Sequence, residues 1–528
     1  MNARSFLTAV VLFVVVFTAA CAPAAAPVNE APLPQVNESR PLPTAPAYKE
    51  EYTAPLVEAP SAGSVEQPAF YATPAPTQSN QFEDYGVNPY TDTRADHLST
   101  FAVDVDTASY SVMRAYLNDG NLPPADSVRV EEFINYFDQD YPSPTETSFA
   151  IYTDGAPSPF NPEGYLLRVG LQGYRIPEWA RKPLSLTFVI DVSGSMGMGN
   201  RLELVKQSLE MLVDRLDSGD SVAIVVYGSN ARIVLKPTPG NKKNVILKAI
   251  YALEPEGSTN LEAGLQLGYE QAMKAYNGDG LNRIVLCSDG VANVGNTEAD
   301  SILRSVRGYV QEGIFLTTVG FGMGNFNDVL MEQLANDGNG NYAYVDDRAE
   351  AEKLFVDDLT STLQTIAIDA KVQVDFNPDV VAAYRLMGYE NRAVADQDFR
   401  NDRVDAGEIG AGHSVTALYE VTLKARAEGR IATVQMRWQD PDTYQVYEIN
   451  QNFNTWEMAQ SFEEASPRFR LTALVGLYAE VLRQSPWMTH IRMNDLLEYA
   501  YDLPRQLNRD ADVVEFVDLL EKAARLMR

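Results

Sequence analysis

The spacing Asp191-x-Ser193-x-Ser195 falls where the apolar run "LSLTFVI" ends and a helical period begins. One acid and two hydroxyls within five residues could carry a serine nucleophile, cradle a phosphate, ligate a hard cation or cap a turn. A nucleophilic serine needs a base beside it. The three histidines, His97, His413 and His490, lie far along the chain on either side, and Ser193 stands where the first glycine of a G-x-S-x-G elbow belongs. No G-x-x-x-x-G-K-[ST] loop is present, and "GFGMGN" at Gly320 follows a later strand and ends in Asn325 rather than Gly. Mg2+ prefers oxygen ligands, and two further segments offer them. Thr259 in "EPEGSTNLEAG" stands just before a helical period, and Asp289 in "IVLCSDGVANVG" follows another apolar run. Taken singly, each of the five also suits a capped turn.

Positioning these residues requires a particular set of elements. From about Pro183 to Ala367 the strands "LTFVI", "VAIVVY", "RIVLC" and "IFLTTVGFG" are continuous apolar runs, most of them separated by helical segments. Continuous runs alternating with helices indicate a parallel sheet covered on both faces, a doubly wound α/β domain. Leu202, Val205, Leu209, Leu212, Val213 and Leu216 form one helical face, and "ARIVL" follows "VAIVVYGSN" closely enough for an antiparallel hairpin. In such a sheet ligands gather at the carboxyl ends of strands where strand order reverses, and if the strands ending at Asp191 and Asp289 are the central pair, their loops face one crevice.

The flanks read differently. Order should begin near His97, with "TFAVDVDTASY" as a half-buried strand, a helix in "ASYSVMRAYLNDG" closed by Gly120, and a second in "DSVRVEEFINYF" capped by Asp126. "FAIYTDG" and "YLLRVGLQGYRI" follow as strands. After Ile368 alternation returns: "AKVQVDFNP" puts Val372, Val374 and Phe376 on one face, and "SVTALYEVTLKA", "RIATVQMRW" and "TYQVYEINQNF" behave alike. The two flanks are expected to pair into one discontinuous antiparallel β domain. A helical region follows, opened by Ser466-Pro467 as N-cap and first helical residue, with Leu471, Leu474, Val475 and Leu482 on its face. "NDGNGNY" reads as a turn, because Tyr342 stands at the EF-hand glycine position counted from Asp337, and Asp396, Asp398, Asp402, Asp405 and Glu408 read as a solvated acidic loop.

Bulk properties set limits. The chain has 528 residues and a net charge of -30, which argues against nucleic acid, whose phosphates need clustered Lys and Arg. The segment "FLTAVVLFVVVFTAA" after Arg4 reads as a signal peptide over residues 1–20. Cys21 follows Ala19 and Ala20 and resembles a bacterial lipobox cysteine, with Thr18 where that pattern prefers Leu. Lipidation of Cys21 is the expectation, with ordinary cleavage or a retained anchor as alternatives. Twelve of the 30 prolines lie between Ala22 and Asn80, so residues 21–94 read as a Pro/Ala-rich tether. The remaining cysteine, Cys287, sits in a buried strand and is not expected to pair with Cys21. The expected organisation is signal peptide 1–20, lipid-anchored tether 21–94, β-rich flank 95–182, α/β domain 183–367, β-rich flank 368–455 and helical region 456–528.

The set Asp191-x-Ser193-x-Ser195, Thr259 and Asp289 resembles the metal-ion-dependent adhesion site of von Willebrand factor type A (VWA) domains, matching all five positions in order. "FAVDVDTASY", "RVEEFINYF", "MEQLANDGNGNYAYVDD" and "NDRVDAGEIGAGHSVTALYEV" resemble the flanks of bacterial VWA lipoproteins. The resemblance implies direct coordination of Mg2+, or of Mn2+ or Ca2+, by Ser193, Ser195 and Thr259, with Asp191 and Asp289 acting mostly through water. It implies a non-enzymatic protein of adhesion or scaffold type, secreted across the inner membrane and lipid-anchored in the cell envelope. Its partner would be a protein offering an Asp or Glu carboxylate to the metal. A structural envelope protein with a stabilising metal and a metal-assisted hydrolase are the alternative readings.

Overall fold

The computed structural model describes residues 80–290, 299–324 and 326–527. The signal segment, Cys21 and the tether up to residue 79 lie outside them.

Six strands form the central sheet, in the order Tyr342–Val345, Ile314–Phe321, Leu281–Ser288, Leu184–Asp191, Ser221–Tyr227, Ala231–Pro239. All neighbours are parallel except the last pair, which is the expected hairpin. The Leu184–Asp191 and Leu281–Ser288 strands are the central pair, and the chain winds outward from them in opposite directions. Their residues are buried along almost their whole length, as a sheet covered on both faces demands. The Arg201–Arg215 helix buries Leu202, Val205, Leu209, Leu212 and Val213 against one face. The Leu261–Lys274 helix buries Leu261, Leu265, Tyr269 and Ala272 against the other.

Two antiparallel sheets stack beside this domain. The first runs Thr91–Asp92, Val381–Met387, Ser414–Leu423, Gly164–Gly173, Phe149–Pro157. The second runs Gly407–Gly410, Thr365–Phe376, Arg430–Gln439, Val446–Asn454, with Leu98–Ala102 also paired to Thr365–Phe376. Each mixes strands from before and after the α/β domain: Ser414–Leu423 pairs with Gly164–Gly173 over nine residues, from Ser414 opposite Gln172 to Thr422 opposite Gly164. The flanks therefore form one discontinuous β sandwich. Val372, Val374 and Phe376 meet Val169, Leu171 and Tyr419 in its core. The C-terminal helices close a separate core on Tyr110, Phe133 and Phe137.

Several local expectations hold. Ser466 Oγ accepts from Phe469 N with Pro467 in the first turn, and Gly120 has φ +78 just past the Ala108–Asn118 helix. Others change. The second N-terminal helix is Val130–Asn135 with Arg129 at its N-cap position, and Asp126 sits in a separate 3₁₀ turn, Ala125–Ser127. The Pro467–Leu482 helix is buried nearly all round rather than on one face, since sheet, helices and N-terminal segment all pack against it. Order also begins well before His97. Gln81 bridges Asn327, the Tyr90 hydroxyl donates to Glu420 at 2.7 Å and the Thr93 hydroxyl to the Val381 carbonyl at 2.7 Å. Residues 80–94, read as the end of the tether, are a strap across the body. Glu408 is buried, its carboxyl raised by burial and then by Asp405 and Asp369, while other acids of the loop turn to separate partners: Asp396 accepts from Thr100, Asp398 from Asn401, and Asp402 pairs with Arg437.

Candidate metal centre

Parallel strands carry their carboxyl ends to one edge of the sheet, and the candidate residues collect there. Asp191 is the last residue of its strand, and Asp289 immediately follows the neighbouring one; both are wholly buried. The backbone N–H of Ser193 donates to Asp191 Oδ1 at 2.8 Å, which folds the loop back on its own acid. The Ser288 hydroxyl donates to Asp191 Oδ2 at 3.0 Å, joining the two strand ends. Ser193 Oγ and Ser195 Oγ are 3.0 Å apart. The loop bearing Thr259 is held against the first by backbone bonds, Gly194 N to Gly257 O at 3.0 Å and Glu256 N to Val192 O. Thr259 is buried, and its neighbour Asn260 caps the following helix by accepting from Ala263 N at 3.1 Å. The capping reading of Thr259 thus goes to Asn260, leaving the threonine hydroxyl for other work.

Electrostatics point the same way. Burial, then the nearby Asp289 carboxylate, push the Asp191 carboxyl up to about 7. Asp289 Oδ1 is buried without a hydrogen-bond partner among the described residues. Two buried acids so close, one with an orphaned oxygen, are what a divalent cation would relieve. Among the described residues no three His, Cys, Asp or Glu side chains converge as a metal cluster. The candidate set instead combines two carboxylates with three hydroxyls, an oxygen donor set suited to Mg2+ or Mn2+. Gly194 is exposed and Ser195 half-exposed, so the site opens to solvent at that turn.

Two neighbours had no signature in the sequence. The Arg201 guanidinium pairs with Asp289 Oδ2 at 2.8 Å and donates to Ser195 O at 3.2 Å and to Met323 O. Tyr227 ends the adjoining strand beneath the site, its hydroxyl raised by burial and by Asp191. Arg201 opens a helix, where a basic residue gives no hint of a partner 88 residues away. The histidines are placed elsewhere: His97 pairs with Asp375 at 2.8 Å. His413 is lowered to about 4 by burial and by Arg283, which lies near the opposite end of the Asp289 strand. His490 lies between C-terminal helices. Cys287 is buried in that same strand and its thiol is pushed up by burial.

Comparison with known proteins covers the body in three stretches. Residues 185–357 match the von Willebrand factor type A domain, residues 76–168 match a family described as von Willebrand factor, and residues 361–526 match the C-terminal region of the uncharacterized protein YfbK. The chain is 35% identical over 479 residues to the uncharacterized protein YfbK of Escherichia coli, covering 86% of this chain and 82% of that one. It is 28% identical over 274 residues to the uncharacterized protein sll0103 of Synechocystis, covering 50% of this chain and 64% of that one. A solved von Willebrand factor type A structure from Catenulispora acidiphila aligns over 72% of this chain and 91% of that one, at 15% identity and a TM-score of 0.41.

Proposed function

The chain belongs to the family of VWA-domain bacterial proteins that includes YfbK of Escherichia coli, and from that premise we propose that it binds a protein partner through a divalent cation at the carboxyl edge of its central sheet. Ser193, Ser195 and Thr259 supply neutral hydroxyls, and Asp191 and Asp289 supply the compensating charge from behind. Bound there, Mg2+ would offer a Lewis-acidic position that an Asp or Glu carboxylate of the partner fills. With lipid on Cys21, the protein serves as an adhesion or scaffold module of the cell envelope rather than as an enzyme.

The observation that carries this reading is the buried Asp191–Asp289 pair with its orphaned Asp289 Oδ1, set beside two converging serine hydroxyls at a solvent-open turn. On a chain of net charge -30 such a cation is a local reversal of sign. Screening over about 8 Å at physiological salt spares a contact this short from distant repulsion. A second reading, a cation that only stiffens the loops, draws on the burial of Asp191, Ser193, Thr259 and Asp289.

The two readings separate in one experiment. Residues 22–528 are immobilised and exposed to envelope extract with Mg2+, with EDTA, and as Asp191→Ala. A protein retained only by the intact, Mg2+-loaded form, and lost when one of its own surface carboxylates is neutralised, supports the metal bridge. The same proteins retained in all three conditions overturn it.

A further inference from the structure

The strap formed by residues 80–94 enters the body at the metal centre. Asn80 Oδ1 accepts from the backbone N–H groups of Gly324 and Phe326 at 2.8 and 3.0 Å, and its amide donates to the Tyr116 hydroxyl at 2.7 Å. Gln81 continues the clamp: its N–H donates to Phe326 O at 2.8 Å, and its carbonyl accepts from Asp328 N at 3.2 Å. The loop so held follows the Ile314–Phe321 strand, next to the strand that leads into Asp289.

That loop also holds the metal centre. Met323 O accepts from Arg201, whose other amino group pairs with Asp289 Oδ2 at 2.8 Å. Gly322 has φ +88, and a Cβ there would lie 2.2–2.5 Å from Arg201 Nε, Cδ and Cγ, so only glycine lets the arginine lie across the loop. Gly290 has φ +79, and a Cβ there would meet Asn327 N at 2.7 Å. Asn327 is the residue that Gln81 bridges. Two routes of direct contact therefore join the strap to Asp289, one through Gly324, Met323 and Arg201, the other through Asn327 and Gly290.

We propose that Asn80 and Arg201 are positioning residues of the metal centre, and that seating of the strap's Asn80–Gln81 end is coupled to cation affinity. This rests on the metal reading above. With the strap seated, Arg201 is fixed at both ends, holds one oxygen of Asp289 and leaves the other directed to the cation. With the strap lifted, the 322–324 loop loses its outer anchor, Arg201 loses its backbone seat, and the centre binds the cation more weakly. Coupling of this kind is reciprocal, so cation binding must in turn tighten the strap.

The test uses the soluble chain, residues 22–528, with Mg2+ alone as probe. Calorimetric titration gives the affinity, and hydrogen exchange reads the Gly324 and Phe326 amides. Asn80→Ala is expected to weaken Mg2+ binding about fivefold or more, and Mg2+ is expected to slow exchange at those amides in the wild type but not in the variant. Asn80→Asp keeps the acceptor oxygens and should stay close to wild type. Asn88→Ala breaks the same strap elsewhere, at its bonds to the Leu386 and Gly388 carbonyls, and should leave affinity within about twofold. Equal affinity in wild type and Asn80→Ala, or equal weakening in Asn88→Ala, overturns the coupling. No Mg2+ binding by the wild type overturns the metal reading, and the coupling with it.

Discussion

Asp191 and Asp289 end two strands that lie side by side at the centre of the sheet, and Ser288, one residue before Asp289, donates to Asp191 at 3.0 Å. The chain reaches these strands about 100 residues apart and leaves them in opposite directions. Reversal of strand order opens a crevice there, because the crossover helices on either side lie on opposite faces. Placing an acid there is costly for the protein alone, since burial and the neighbouring Asp289 carboxylate both disfavour ionisation of Asp191. The arrangement persists because the fold over-determines it: Asp191 is set by strand register opposite Tyr227, and Asp289 directly follows the registered strand end at Ser288.

Mg2+ should therefore stabilise the folded chain. At about a hundredfold its Kd, a ligand bound only by the native state adds about 2.7 kcal/mol. Thermal unfolding is expected to shift upward with Mg2+ and return with EDTA. Asp191→Ala should show the same midpoint in both conditions. An equal Mg2+ shift in that variant would place the bound cation elsewhere.

A pH dependence follows from the junction between modules. Burial, then the carboxylates of Glu390 and Asp104, push Glu131 up to about 7, while its carboxylate accepts from Tyr389 N at 3.0 Å. A raised acid holds its proton more tightly in the folded state. Its contribution to stability is full below the ordinary glutamate value and is lost as pH rises through about 7. Glu131→Gln keeps the acceptor and removes the charge. It should match wild type near pH 4 and exceed it at pH 8 by about 3 kcal/mol, as read by urea unfolding at both pH values. A constant difference across the range would refute the assignment.

Arg385 is the next test. It is wholly buried, with Nε 2.8 Å from Glu420 and Nη2 3.0 Å from Glu480. It thereby ties the β sandwich to the Pro467–Leu482 helix. Removing one partner from a buried charge cluster leaves the others uncompensated, typically at about 3–5 kcal/mol. Arg385→Met should lower the stability read by urea unfolding by that amount. Adding Glu420→Gln and Glu480→Gln should recover a large part of it.

These sites differ in how far sequence alone reveals them. Continuous apolar runs against alternating ones are local patterns, and they suffice to distinguish the central sheet from the sandwich. The five candidate ligands are legible for a related reason: each sits at a strand end or helix start that the same periodicity locates. Arg201, Asn80 and Arg385 are not legible. Arg201 meets Asp289 across 88 residues, Asn80 meets Gly324 across 244 and Arg385 meets Glu420 across 35, and no spacing rule connects such positions. Asp126 shows the limit of cap rules: an acid suits a helix start, yet it sits inside a 3₁₀ turn that ends at Ser127, three residues before the helix begins.

Thr259 offers the sharpest separation of metal binding from folding. Its neighbour Asn260 supplies the helix cap, so changing Thr259 should leave the Leu261–Lys274 helix in place. Thr259→Val keeps the buried shape and deletes only the hydroxyl, and Thr259→Ser keeps the hydroxyl and deletes the methyl. If the hydroxyl is a ligand, Val should abolish the Mg2+ shift in unfolding temperature while changing the metal-free midpoint by no more than a Ser replacement does. Ser should retain the shift. The opposite ranking, with Ser more damaging than Val in both conditions, would make Thr259 a packing residue and reduce the metal set to the Asp191 loop and Asp289. Partner capture by the two variants carries the same contrast to the binding function, because a scaffold that needs the cation only for stiffness would still hold its partner when Val is folded and metal-free.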